Sequence, residues 1–215
     1  MNAINYLKFD LRIIKESIKY YVLVPTIFCV IFMFFGHSYP LGISYLFFFL
    51  VISATIPFSM QANGKSTEMY YMFPAKISSM VFGRFLYLMC STLVIYILNG
   101  LIMTYLYKIN KLNDLQILLN CLCGLTSVVV CCIQYPIYYK FGLEKGGILS
   151  IIIYLAPAFI VFMLPDLLKE NTIIKNINDS NTLNLIFLII SLLITIIIGY
   201  MSYLISCKIC QTKEI

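Results

Sequence analysis

His37 is the one histidine among 215 residues, and its solitude limits the chemistry open to this chain. A single imidazole cannot build the two-histidine H-E-x-x-H zinc helix of a metalloprotease. A serine–histidine hydrolase would need His37 beside a serine deep in an apolar segment. His37 instead sits in Gly36-His37-Ser38-Tyr39-Pro40-Leu41-Gly42, a turn-forming cluster, and reads as a solvated loop residue. No long apolar run contains an Asp or Glu, which removes an aspartyl dyad and a relay of carboxylates. Asn63-Gly64-Lys65-Ser66-Thr67 imitates the tail of a phosphate-binding loop, but that pattern wants glycine at position 59, where Ser59 stands. Such a loop also follows a strand, whereas Ile56-Pro57-Phe58-Ser59 closes an apolar helix. Cys207-Lys208-Ile209-Cys210 offers two soft ligands where a closed zinc site takes four. The chain is therefore expected not to be an enzyme by itself, and to hold neither metal nor cofactor of its own.

The elements that could position anything else are set by composition. Hydrophobic residues make up 61% of the chain and charged ones 11%, against roughly 45–50% and 25% in a soluble domain. Uncharged intervals long enough to cross a bilayer are 20–64, 85–107, 115–139, 146–165 and 180–207. The first is more than twice the length one crossing needs and must fold back at the Gly36–Gly42 cluster. The reading is an all-α polytopic membrane protein with six transmembrane helices, at about 20–36, 42–62, 84–107, 115–137, 146–165 and 182–206. They form a single transmembrane domain over 1–215, with no room for a soluble catalytic domain.

Charge placement orients it. With both termini on one side, that side carries 11 Lys and Arg and the other 4, so both ends are expected in the cytoplasm of a multi-pass cell-membrane protein. The net charge of +6 then reflects topology and attraction to anionic lipid, not nucleic acid. Residues 4–19 pattern as an amphipathic helix. Ile4, Leu7, Leu11, Ile14 and Ile18 form one face, and Lys8, Arg12, Lys15 and Lys19 an adjoining one. Such a helix lies in the membrane interface.

Function is then expected on the spans or on the inner loops. The loop Gln61–Arg84 carries Met69-Tyr70-Tyr71-Met72-Phe73 in succession, then Pro74 and Lys76, with Glu68 just before. Large apolar residues gathered beside charge suit packing against lipid or the docking of a cytosolic protein. The second inner loop, Tyr135-Pro136-Ile137-Tyr138-Tyr139-Lys140-Phe141-Gly142-Leu143-Glu144-Lys145-Gly146-Gly147, alternates aromatics with charge, and its glycines permit a tight reversal. Ser53, Thr55, Asn99, Thr104, Thr126, Ser127 and Gln134 either line a path or bond between helices, the latter being favoured.

These features together resemble the permease subunit of an ABC-2 type transporter. More narrowly, they resemble the small stand-alone permeases of Gram-positive bacteria, the group that includes phenol-soluble modulin exporter permeases. The stretch YPIYYKFGLEKGG at 135–147 is similar to that group's signature, and MFPAKISSMVFGRFL at 72–86 resembles its segment leading into the third span. Ala75-Lys76 departs mildly from the expected Ser-Arg or Ser-Lys. The resemblance implies an exporter in which two permease subunits, alike or different, pair with cytosolic ABC ATPases that carry the ATP and Mg. It implies that loop 65–76 and segment 138–145 couple to the ATPase, through Glu68, Tyr70, Tyr71, Phe73 and Lys76 and then Lys140, Phe141, Glu144 and Lys145. The helix at 4–19 would brace that contact, short re-entrant helices near 154–181 would cap the exit, and the cargo would be amphipathic or hydrophobic, such as a peptide. The alternative is a membrane scaffold or immunity protein that binds a partner without transporting.

Overall fold

The computed structural model describes residues 3–15, 23, 26–27, 30–31, 39–62, 77–169 and 181–212, and among them every regular element is helical. The elements are α1 (Ala3–Ile14), α2 (Tyr39–Ser53), α3 (Ile56–Ala62), α4 (Ile77–Lys108), α5 (Asp114–Lys169) and α6 (Asn181–Thr212). Four stretches are long and apolar enough to cross a membrane: Gly42–Ser59, Ile77–Lys108, Gln116–Gly142 and Leu188–Thr212. Of the two further spans expected, 146–165 is helical throughout as part of α5, and 20–36 falls largely outside the described residues. The described apolar positions there, Leu23, Ile27, Val30 and Ile31, are helical and exposed.

Local chemistry explains most boundaries. The expected span 42–62 is broken at Ala54–Thr55, because Pro57 lacks an N–H and its ring opposes the carbonyl four residues back. The Thr55 carbonyl restarts the chain by accepting from the amides of Phe58 and Ser59, both at 3.0 Å. α4 ends on a Schellman turn. Asn110 takes a φ of 56°, the Lys111 amide donates to the Leu106 carbonyl at 3.1 Å, and the Asn110 amide donates to the Tyr107 carbonyl at 3.0 Å. Asn113 then caps α5, its amide donating to the Gln116 side-chain oxygen at 3.0 Å.

α5 corrects one expectation. The segment 138–145 is not a loop: the helix runs through it with one non-helical residue, Gly142, at φ 74° and ψ 177°. A Cβ on Gly146 would lie 3.0 Å from the Tyr138 ring and 3.5 Å from Ile137 Cγ2. Eight residues of straight helix would separate Gly146 from Tyr138 by about 12 Å. The chain therefore turns back on itself at Gly142, in a region of backbone space that glycine alone occupies readily. Pro157 and Pro165 both lie within the helix, which continues to Lys169. Proline's fixed φ is compatible with a helix, and each costs one ladder bond rather than the turn itself.

The core brings α2, α3, α4, α5 and α6 together through Phe47, Leu50, Val51, Phe58, Val81, Phe85, Cys131, Tyr135 and Cys210. A second cluster of Ile43, Leu106 and Leu112 closes the opposite end. Between them lies a polar clasp. Asn120 donates to Asn99 Oδ1 at 3.1 Å, and Asn99 donates to the Ile43 carbonyl at 3.2 Å. Ser44 donates to Asn120 Oδ1 at 3.4 Å. Asn99 thus bonds between helices, as favoured from sequence. Ser53, Thr55, Thr104, Thr126 and Ser127 instead bond back to carbonyls three or four residues earlier in their own helices. α1 packs on α4 through Ala3 and Tyr6 and buries Asp10, while Ile4 and Leu11 of the expected apolar stripe face outwards. The stretch 16–19 expected to prolong it lies outside the described residues.

Candidate functional site

Arg84 was expected at the end of an inner loop, where α4 would begin. α4 begins at Ile77, and Arg84 stands two turns inside it with 1% of its surface exposed. A helix that buries a guanidinium must supply compensation, because the group stays charged and its desolvation is expensive. Here the compensation is aromatic. The guanidinium carbon lies 4.4 Å from the Phe58 ring centroid and 5.5 Å from that of Tyr139. A desolvated cation over such faces gains about 2 kcal/mol. The Tyr135 hydroxyl donates to the Arg84 carbonyl at 3.4 Å.

Phe58 is the shared wall. Its ring packs on Tyr135 at 5.1 Å, Tyr138 at 5.2 Å and Tyr139 at 5.2 Å, two of them edge to face. Phe85 adds Tyr135 at 5.0 Å and Tyr203 at 5.7 Å, which draws in α6. Each such pair adds about 0.5–1.5 kcal/mol beyond area burial. The opposite charge arrives on α1. Asp10 is 2% exposed, and with Arg84 it makes up the buried charged residues among those described. Asp10, Arg84 and Cys210 all lie close enough to Tyr139 to act on it electrostatically. What admits α1 is Gly83, the neighbour of Arg84. A Cβ there would fall 2.6 Å from Tyr6 Cβ and 2.9 Å from the Ala3 carbonyl oxygen. Burial in this contact also raises the Tyr6 hydroxyl above its usual pKa.

Five helices thus meet at one end of the bundle: α1 with Asp10, α3 with Phe58, α4 with Arg84, α5 with Tyr135 and Tyr139, and α6 with Cys210 and Tyr203. The chain leaves α3 and enters α4 beside this cluster, and it reverses at Gly142 three residues beyond Tyr139. The arrangement is one of packed rings around a buried cation. It is a stiff joint that links the helix ends to the connections between them.

Of the site residues expected from sequence, Glu68, Tyr70, Tyr71, Phe73 and Lys76 lie outside the described residues. Lys140 and Phe141 are exposed at the end of the first α5 segment, with the Lys140 ammonium 5.2 Å from the Phe141 ring centroid. Glu144 and Lys145 are helical in backbone beyond the reversal. The structure brings Lys140 and Phe141 within one turn of the Arg84 cluster. Sequence reasoning missed Asp10, Phe58, Arg84 and the buried faces of Tyr135 and Tyr139. One signal could have found them: Gly83-Arg84 and Tyr6…Asp10 each place a charge next to a residue suited to close helix contact. Among the described residues no group of three or more His, Cys, Asp or Glu could hold a metal.

A family model described as "ABC-2 family transporter protein" matches residues 6–211 of the chain. No curated protein and no solved structure matches it.

Proposed function

This chain belongs to the ABC-2 transporter family and is a membrane permease of an ABC transporter, and on that premise we propose that it is an exporter subunit driven by a separate cytosolic ATPase. In this reading the chain crosses the membrane six times with both termini in the cytoplasm, and α1 lies at the inner interface. Two permease subunits, identical or related, frame a path for an amphipathic or hydrophobic cargo such as a peptide. ATP and Mg bind to the partner ATPase. Exposed apolar faces on α4 and α6, carrying Leu93, Ile97, Leu101, Ile189, Leu193 and Ile197, are available to lipid and to the second subunit. The narrower likeness to the modulin-exporter permeases of Gram-positive bacteria remains part of the proposal.

The observation that carries the reading is the joint at Arg84. The coupling segment 65–76, with Glu68, Tyr70, Tyr71, Phe73 and Lys76, connects α3 to α4, and those two helices are locked together by Phe58 over Arg84. A push on the segment would reach both helices at once and pass through Tyr135 and Tyr139 to α5. The second contact, Lys140, Phe141, Glu144 and Lys145, flanks Gly142, so it would reach both arms of the α5 turn. Stiffness comes from the packed rings and from α1, which braces α4 at Gly83.

The test is affinity purification of the tagged chain from its native membrane. An ABC ATPase is expected to copurify, and Glu68→Lys with Phe73→Ala is expected to release it while leaving the permease folded. An ATPase retained by that double variant removes the coupling assignment, and its absence from the unmodified preparation removes the transporter assembly.

A further inference from the structure

Outside the Arg84 joint, the first α5 segment and α6 part slightly at their ends and leave an open groove of about 620 Å³. Sites for small ligands commonly span about 300–1,000 Å³. Pro136, Ile137, Ile205 and Ile209 supply apolar walls, and Lys140 and Lys208 stand in the lining with them. No lining residue is acidic. Lys140 is two residues from the end of the apolar stretch Gln116–Gly142, and Lys208 is four from the end of Leu188–Thr212. Both cations therefore stand at the depth where an apolar span meets the headgroup layer, above a wall that suits an aliphatic chain. Basic pockets between spans at that level recognise anionic headgroups.

We propose that this groove between α5 and α6 binds an anionic phospholipid, its phosphate held by Lys140 and Lys208 and an acyl chain laid along Ile137, Ile205 and Ile209. A zwitterionic lipid brings the same chains but no net negative charge, so discrimination comes from the two ammonium groups. Each is expected to contribute about fivefold in relative affinity, and the contribution weakens with added salt because both side chains are exposed. The inference goes beyond ATP coupling and does not rest on it.

The chain contains no tryptophan, so Phe141→Trp places a single fluorescent reporter at the groove lining. The full chain is reconstituted without ATPase in phosphatidylcholine bilayers containing either brominated phosphatidylglycerol or brominated phosphatidylcholine at the same mole fraction. Quenching by the anionic lipid is expected to exceed quenching by the zwitterionic one. A reporter at Leu93→Trp, 62% exposed on α4 and far from both lysines, is expected to show no preference. Lys140→Gln and Lys208→Gln should each lower the preference about fivefold, and the two arginine substitutions should retain it. Equal quenching by the two lipids overturns the proposal, as does a preference that survives both glutamine substitutions. A reporter reached by neither lipid also overturns it, because the groove is then covered by protein.

Discussion

Gly83→Ala is a small change with a sign that the structure decides. A methyl at this position would stand 2.6 Å from Tyr6 Cβ, and ordinary contact begins near 3.4 Å, so α1 would have to retreat by about 0.8 Å. Tyr6 Cβ is fixed to the α1 backbone, and the second obstacle, the Ala3 carbonyl at 2.9 Å, is backbone itself. Neither can rotate away. Overpacking of this kind costs about 1–3 kcal/mol. Against it stands the helix preference of alanine over glycine, about 0.8–1 kcal/mol in a helix interior. The net expectation is a loss of up to about 2 kcal/mol, with α1 lifted from α4 and Asp10 brought towards solvent. Gly100 supplies the control on the same helix: nothing lies within 4 Å of its would-be Cβ, so Gly100→Ala keeps the helix gain without the clash. Thermal midpoints of both variants in one detergent should move in opposite directions. Amide hydrogen exchange over Ala3–Ile14 should quicken only in Gly83→Ala. If Gly83→Ala raises the midpoint as Gly100→Ala does and leaves α1 protected, the docking of α1 on α4 is wrong.

Further expectations concern the joint, the clasp, the turn and one buried amide. Phe58→Ala removes the wall shared by Arg84 and three tyrosines and should cost about 3–5 kcal/mol, read as a lowered denaturation midpoint; Phe58→Leu should lose less. Asn120→Ala breaks the bonds to Asn99 and Ser44 and should cost about 0.6–2 kcal/mol in the same assay. Gly142→Ala forces a methyl-bearing residue into φ 74°, ψ 177° and should cost about 1–3 kcal/mol, with a longer spin-label distance between the two arms of α5. Gln134 is fully buried with neither side-chain polar atom hydrogen-bonded, so Gln134→Leu should stabilise the fold by about 1–3 kcal/mol; unchanged or lower stability contradicts that.

Four of the expected spans were legible because lipid demands uninterrupted apolar helix, and uncharged runs are visible in any sequence. The turn from α4 into α5 carried its own signals in Asn110 and Asn113. The site was harder to see for reasons that Arg84 illustrates. Counting charges between apolar runs assigns Arg84 to the end of a loop, and it cannot register the face of Phe58 waiting across a helix break. Asp10 hid behind a similar bias: the strongest apolar stripe of α1 runs through Ile4 and Leu11, yet the face that docks is Tyr6 and Asp10. Docking there depends on Gly83, some 77 residues away, and contact between distant residues leaves no periodicity to read. Gly142 showed the converse. Its glycine announced a reversal, but a reversal within one residue, with helix on both sides, follows from packing of Gly146 on Tyr138.

In the proposed function Arg84 is the joint through which a partner ATPase would move the helices. The direct measurement is ATP-driven transport by the purified permease–ATPase assembly, compared between the unmodified chain and Arg84→Gln, with the amount of bound ATPase measured in parallel. Arg84→Gln is expected to retain the ATPase, whose proposed contacts lie on the connections, and to lower transport tenfold or more, a loss of at least about 1.4 kcal/mol of coupling. Transport at the unmodified rate by Arg84→Gln, with the ATPase bound, would contradict it.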